Sequence, residues 1–248
     1  MNKGIVFEKD ISGIELPAEL NDPFDYKPHP LCELAAVQVQ DYLKVQQDFN
    51  HNFGLGQSNE DTSLKAIGKM FGVLTVQSEN NVFFLAAFSG KLAGTNTHTY
   101  FVPPVYDSLE EGTLLTPGML QLKAINDELK ELTHAGCKAT HKIRQLKEKR
   151  KAHSQQLQSR LFDAYQFLNA EGIAKSPKHI FQTPPAGAGE CAAPKLLQYA
   201  YQHNLKPLAI AEFWYGAPPS AAHNSREHLQ YYPACEDKCR GVLGWMLG

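Results

Sequence analysis

Long hydrophobic runs are missing from this sequence. No uninterrupted apolar stretch approaches the roughly 20 residues that a bilayer-spanning helix needs, and the opening MNKGIVFEKD has no apolar signal core. Together these absences predict a cytoplasmic protein. Cysteine is sparse and odd in number, five in 248 residues, which excludes a fully paired disulfide framework and suits a reducing compartment. An excess of one charge is lacking too. The 24 Lys and Arg against 26 Asp and Glu leave a net charge of −2, so any attraction for nucleic acid must come from a local patch. The 43% hydrophobic and 20% charged residues are enough to bury a sizeable core and exclude fibrous and disordered classes.

Prolines at 17, 23, 28 and 30 break any long element in the first 30 residues, which predicts an ordered arm packed on the core. Leu31, Leu34, Ala35, Val37, Val39, Tyr42, Leu43 and Val45 recur at helical spacing and predict a helix over 31–49. GKMFGVLTVQ and VFFLAAFSGKL, separated by the turn SENN, read as a hairpin of two central strands over 69–77 and 82–92. A third strand-like run covers 207–215. Residues 94–118, rich in Gly, Thr and Pro, read as an irregular connection.

Three of the five cysteines lie in the last quarter of the chain. Cys191 opens an apolar run with helical spacing (Leu196, Leu197, Ala200, Tyr201), and Cys235 and Cys239 sit four apart where another begins (Val242, Leu243, Met246). A thiol at a helix N-terminus meets unpaired N–H groups and the positive end of the dipole, which favours the thiolate that metals bind. The three are therefore candidate zinc ligands, completed by water in a catalytic site, or by His228, His223 or another side chain in a structural one. Cysteines are also small hydrophobes that pack in cores, and the sequence alone leaves both readings open.

Composition shifts between Met119 and Gly172. A thin stripe of Leu120, Leu122, Ile125, Leu129 and Leu132, then Ile143, Leu146, Leu157, Leu161, Tyr165 and Leu168, runs through Lys, Glu and Gln. This predicts a helical hairpin or coiled-coil-like arm, broken near HAGCKAT, inserted into a domain made of 1–118 and 173–248. The stripe would also suit pairing with a second copy of the chain. Lys138, Lys142, Arg144, Lys147, Lys149, Arg150, Lys151 and Arg160 face a single acid, Glu148, between 138 and 160. Such a run is either a solvated helix face or a contact for phosphates. Trp214 and Tyr215 in the FWYG string, near Tyr231 and Tyr232, are candidate platforms for unstacked RNA bases, or else an ordinary strand end packed in the core.

With the arm set aside, the order helix, strand, strand, Cys191 helix, strand, Cys235/Cys239 helix resembles the cytidine-deaminase-like fold, an α/β arrangement of helix, sheet and helix layers. By position, Cys191 in GECAAPKLL and the pair in PACEDKC correspond to that family's zinc ligands. Two departures stand out: the pair is C-x-x-x-C rather than C-x-x-C, and the proton-shuttling glutamate two residues after the first ligand is replaced by Ala193. Glu190 and Glu212 are the nearest acids. On this resemblance the chain would be a zinc-dependent hydrolase acting on a nucleoside, nucleotide or RNA base.

A second resemblance covers nearly the whole chain. PFDYKPHPLCELAA, FGVLTVQ, LAAFSGKLAG, FVPPVYD, PPAGAGECAAPKLLQYAY, LKPLAIAEFWYG and YYPACEDKCRGVLGWML resemble the N-terminal extension ahead of the catalytic domain in some bacterial RluA-type pseudouridine synthases. That family isomerises uridine in structured RNA through the aspartate of an H-R-L-D motif. No such motif is present; SRLFD at 159–163 has the wrong spacing. The resemblance therefore implies an accessory RNA-binding or positioning part, working with a C-terminal synthase domain on ribosomal or transfer RNA.

Overall fold

The computed structural model describes residues 3–46, 52–55, 68–110, 112, 116–134, 140–219 and 226–248. It is a mixed α/β structure with, among the described residues, six helices and a four-stranded antiparallel sheet. The elements run α1 (Pro30–Val45), β1 (Lys69–Ser78), β2 (Asn81–Phe88), α2 (Thr116–His134), α3 (Thr140–Ala164), β3 (Phe167–Leu168), β4 (Ala174–Lys175), α4 (Pro177–Ile180), α5 (Ala192–Gln202), β5 (Lys206–Tyr215), β6 (Tyr231–Tyr232) and α6 (Glu236–Leu247). The strand order is β2-β1-β5-β6, and β3 pairs with β4 in a separate two-stranded ribbon.

The central strands bury both faces because helices cover both sides. Phe71 and Val73 of β1, Phe84, Ala86 and Phe88 of β2, and Ala209, Ala211, Phe213 and Tyr215 of β5 pack with α1. The alternate residues Leu74, Val76, Leu85, Ala87 and Ile210 pack with α5 and α6. α1 starts where Pro30 supplies the first helical position and the His29 ring accepts the Leu31 N–H at 3.2 Å. Its buried face is Leu31, Cys32, Ala35, Ala36, Val39 and Leu43; Val37 and Val45, expected in the apolar stripe, are exposed. β2 ends at Phe88 rather than 92, because the chain turns at Gly90, whose φ is +61°.

The N-terminal arm covers both sheet edges. Ile5 exchanges two backbone hydrogen bonds with Phe84 on the outer side of β2. At the other edge the Asn21 side chain pairs with both the N–H and the C=O of Ile210, and the Tyr26 hydroxyl accepts the Glu212 N–H and donates to the Tyr232 carbonyl. Backbone groups that would template pairing with another chain are thereby satisfied.

α2 and α3 form an antiparallel hairpin, with Ile125, Leu129 and Leu157 buried along it. A side chain at Gly118 would collide with Leu157, and the His153 ring bonds the Gly118 carbonyl at 2.9 Å, so the helices meet most closely at the base. The end of α3 is not free of the core. Leu161, Tyr165 and Phe167 join the cluster under α5 and α6.

Gly72, inside β1, lies beneath the start of α5. A Cβ there would stand 2.9 Å from that of Ala192 and 3.1 Å from Leu196 Cδ1, so only glycine lets the helix lie this close. Gly72→Ala should lower stability by about 1–3 kcal/mol through overpacking, while Gly13→Ala, with nothing within 4 Å, should be nearly neutral. Chemical denaturation of both variants checks this, and equal effects would refute it.

Candidate metal centre and basic groove

The sulfurs of Cys191, Cys235 and Cys239 lie within 4.8 Å of one another. Tetrahedral zinc thiolate geometry, with Zn–S bonds of about 2.3 Å, calls for sulfurs about 3.8 Å apart, so only a small contraction around an ion is required. Two helix starts build the set. Cys191 is the N-cap of α5, Cys235 is the N-cap of α6, and Cys239 is one turn into α6 and fully buried. The four-residue spacing of the pair puts both sulfurs on one face of α6.

The three thiols perturb one another in opposite directions. Cys235 is held far below the ordinary thiol range by hydrogen bonds from Cys191 and Cys239, helped by the Lys238 N–H, which reaches its sulfur at 3.4 Å. Cys191 is pushed up to about 12, chiefly by its hydrogen bond to Cys235, and Cys239 is pushed up by Cys191 and then Cys235. A dication among the three sulfurs would compensate the charge that their deprotonation creates. Cys32 is different. It is buried beside Thr75, burial raises it to about 12, and it serves as packing. Cys137 lies outside the described residues.

Glu212 is the sequence-predicted acid that the fold brings to this centre. It points from β5 toward α5, and its Oε1 accepts the N–H of Ala193 at 3.2 Å. Burial raises Glu212 to about 7 with a smaller push from Cys235, and its charge helps raise Cys191 and Cys239, although the carboxylate oxygens are not part of the mutually close set. Glu190 sits instead in a small cavity with Lys195, Asn96 and Tyr165. Lys195, which the sequence reading missed, is 3% exposed and donates to the Phe88 and Gly90 carbonyls at 2.8 and 3.1 Å, fastening α5 to the end of β2.

His228 does not join the thiols. Its Nδ1 accepts the Gly216 N–H and its ring meets Tyr215 edge-on, and Tyr215 belongs to the α1 face of the sheet. His223 lies outside the described residues. Tyr215 is 3% exposed beneath Phe53 and has no ring face to offer a base. Trp214 is half-buried, and its indole N–H donates to the Ala217 carbonyl.

The basic run divides on the hairpin. Lys142 pairs with Glu128 at 2.9 Å and Arg144 with Glu148 at 3.2 Å, while Lys138 lies outside the described residues. Lys147, Lys149, Arg150, Lys151 and Arg160 make no ion pair among the described residues. Lys147, Arg150 and Lys151 line a groove of about 560 Å³ between α2 and α3 with Leu122, Asn126, Ser154 and Gln155. No helix among the described residues is long and apolar enough to cross a membrane. No protein-family model, curated protein or solved structure matches the chain.

The raised acid gives a pH signature. Glu212 titrates near 4.5 when unfolded and near 7 when folded, so the folded state binds the extra proton and loses stability as pH rises through that interval. Metal-free protein should therefore weaken relative to Glu212→Gln between about pH 5 and about pH 8. Denaturation of the two at several pH values checks it, and parallel profiles would contradict the assignment.

Proposed function

We propose that the chain is an accessory RNA-binding and positioning module of a cytoplasmic RluA-type pseudouridine synthase. In this reading zinc held by Cys191, Cys235 and Cys239 ties together a deaminase-like stack of helix, sheet and helix layers. The observation that carries it is the basic groove of the hairpin, where cations without acidic partners gather on a chain of net charge −2; clustered Lys and Arg are what phosphate contact requires. The enzyme class comes from the resemblance of the long sequence phrases. Isomerisation itself falls to a C-terminal partner domain, since the H-R-L-D aspartate has no counterpart in these residues.

Zinc suits three soft thiolates, and two helix N-termini at Cys191 and Cys235 add favourable dipoles. Protein purified without chelator should contain close to one zinc per chain. Cys235→Ser with Cys239→Ser should abolish binding and lower the melting temperature, because metal binding energy is also folding energy. Metal analysis with calorimetry reads both, and a zinc-free wild type would refute the site.

Binding to a structured ribosomal RNA fragment should weaken steeply with salt. Reversing Lys147, Lys149, Arg150 and Lys151 to glutamate should remove most of it and flatten the salt dependence by about one unit of slope per lost phosphate contact. Unchanged affinity would sink the RNA reading.

One observation favours a second reading, a deaminase-type hydrolase: no fourth protein donor joins the three thiols among the described residues, and the buried Glu212 stands beside them. An open metal position and a nearby acid are the ingredients of metal-assisted hydrolysis. Mass spectrometry of cytidine, adenosine and RNA after incubation with the zinc-loaded chain decides between the readings. Conversion to the deaminated base would favour the hydrolase, and its absence would leave the accessory module.

A further inference from the structure

The hairpin groove has a chemical character that narrows its ligand. Two adjoining grooves of about 560 and 360 Å³ share Asn126, Lys147 and Arg150, and Lys130 on α2 adds a fourth cation to those of α3. None of the lining residues is acidic; Glu128 and Glu148 are engaged by Lys142 and Arg144 outside it. Charge complementarity therefore selects a polyanion.

Aromatic rings are what the groove lining lacks. From Thr116 to Ala164 the only Phe, Tyr or Trp is Phe162, and it is 7% exposed. Proteins that hold single strands stack successive bases on aromatic side chains, and neither groove is lined by an aromatic ring. Polar groups of another kind fill the gaps between the cations: Asn126 on α2, and Ser154 and Gln155 on α3. These can donate to or accept from a ribose 2′-hydroxyl, the group that distinguishes RNA from DNA. Lys147, Lys151 and Ser154 step along α3 at about 5.4 Å per turn, a row that can follow one sugar–phosphate strand.

Resting on the RNA-module reading, we infer that the α2–α3 groove grips the backbone of double-helical RNA, reading phosphates and 2′-hydroxyls rather than bases. The arm would dock on a stem and leave the unpaired uridine for another domain.

Three probes separate the possibilities, each measured by fluorescence anisotropy with the full chain: an RNA duplex of about 16 base pairs, a DNA duplex of the same sequence, and single-stranded oligouridine. The RNA duplex should bind about tenfold or more tighter than oligouridine, with a salt slope that Lys147→Glu, Arg150→Glu and Lys151→Glu together reduce by about three. Asn126→Ala with Ser154→Ala should narrow the preference for RNA over DNA while leaving the salt slope in place. Circular dichroism confirms that each variant folds. Oligouridine binding as tightly as the duplex would overturn the inference while leaving the RNA module standing. Failure of the duplex, oligouridine and the structured ribosomal fragment alike would overturn both. Duplex binding undiminished by the three reversals would move the contact off this groove and refute it.

Discussion

How closely α5 can lie on the sheet governs the candidate centre. Glycine at 72 lets Ala192 and Leu196 press onto β1, which carries the N-terminus of α5 down to the level of β5. There the Glu212 side chain, directly across the β1–β5 ladder from Gly72, meets the Ala193 N–H. Cys191 caps the same helix end, so one small residue in a strand sets the position of the first thiol and of the acid together. The helix and the sheet are held from the other side by Lys195, whose burial lowers it to about 8 and whose ammonium spans two carbonyls at the end of β2. Burying an acid and a lysine is costly unless each is bonded, and both are used here to fix one helix.

The main elements were legible because their periods are long enough to read. Strands of eight and ten residues and helices of eleven or more carry their alternation or stripe plainly, and the predicted strands at 69–77 and 207–215 lie side by side in the sheet. β3, β4 and β6 have two residues each, too few to show a period, and were missed. Of the two readings open for Tyr215, the fold shows the packed strand end. Composition marks FWYG as aromatic, but alternation along β5 puts 209, 211, 213 and 215 on the α1 face and 210 and 212 on the α5 face. The same alternation, applied to the apolar run AIAEFWY, would have flagged Glu212 as an acid facing the Cys191 helix.

The cysteine trio was legible from position, since helix starts can be read and two of them carried thiols. The fourth position was not. His228 is near in sequence to Cys235, but its ring packs on Tyr215 at the opposite face of the sheet. Sequence proximity cannot reveal which side of a sheet a loop returns on.

The hairpin and the thiol centre are mechanically joined. Beyond α3 the chain runs as β3 between the two helices that carry the cysteines: the Leu168 N–H donates to the Gln198 side chain of α5, Gln198 returns a bond to the Gln166 carbonyl, and the Trp245 indole of α6 donates to the Phe167 carbonyl at 2.9 Å. Tyr165 and Phe167 stack with ring centroids 5.5 Å apart inside the same core. On the proposed reading, a groove that grips a rigid nucleic acid would need to be held at a fixed angle to the sheet. An ion that draws the starts of α5 and α6 together would tighten the packing on which the base of the hairpin rests, so a metal without a chemical task of its own would still bear on how the arm is aimed.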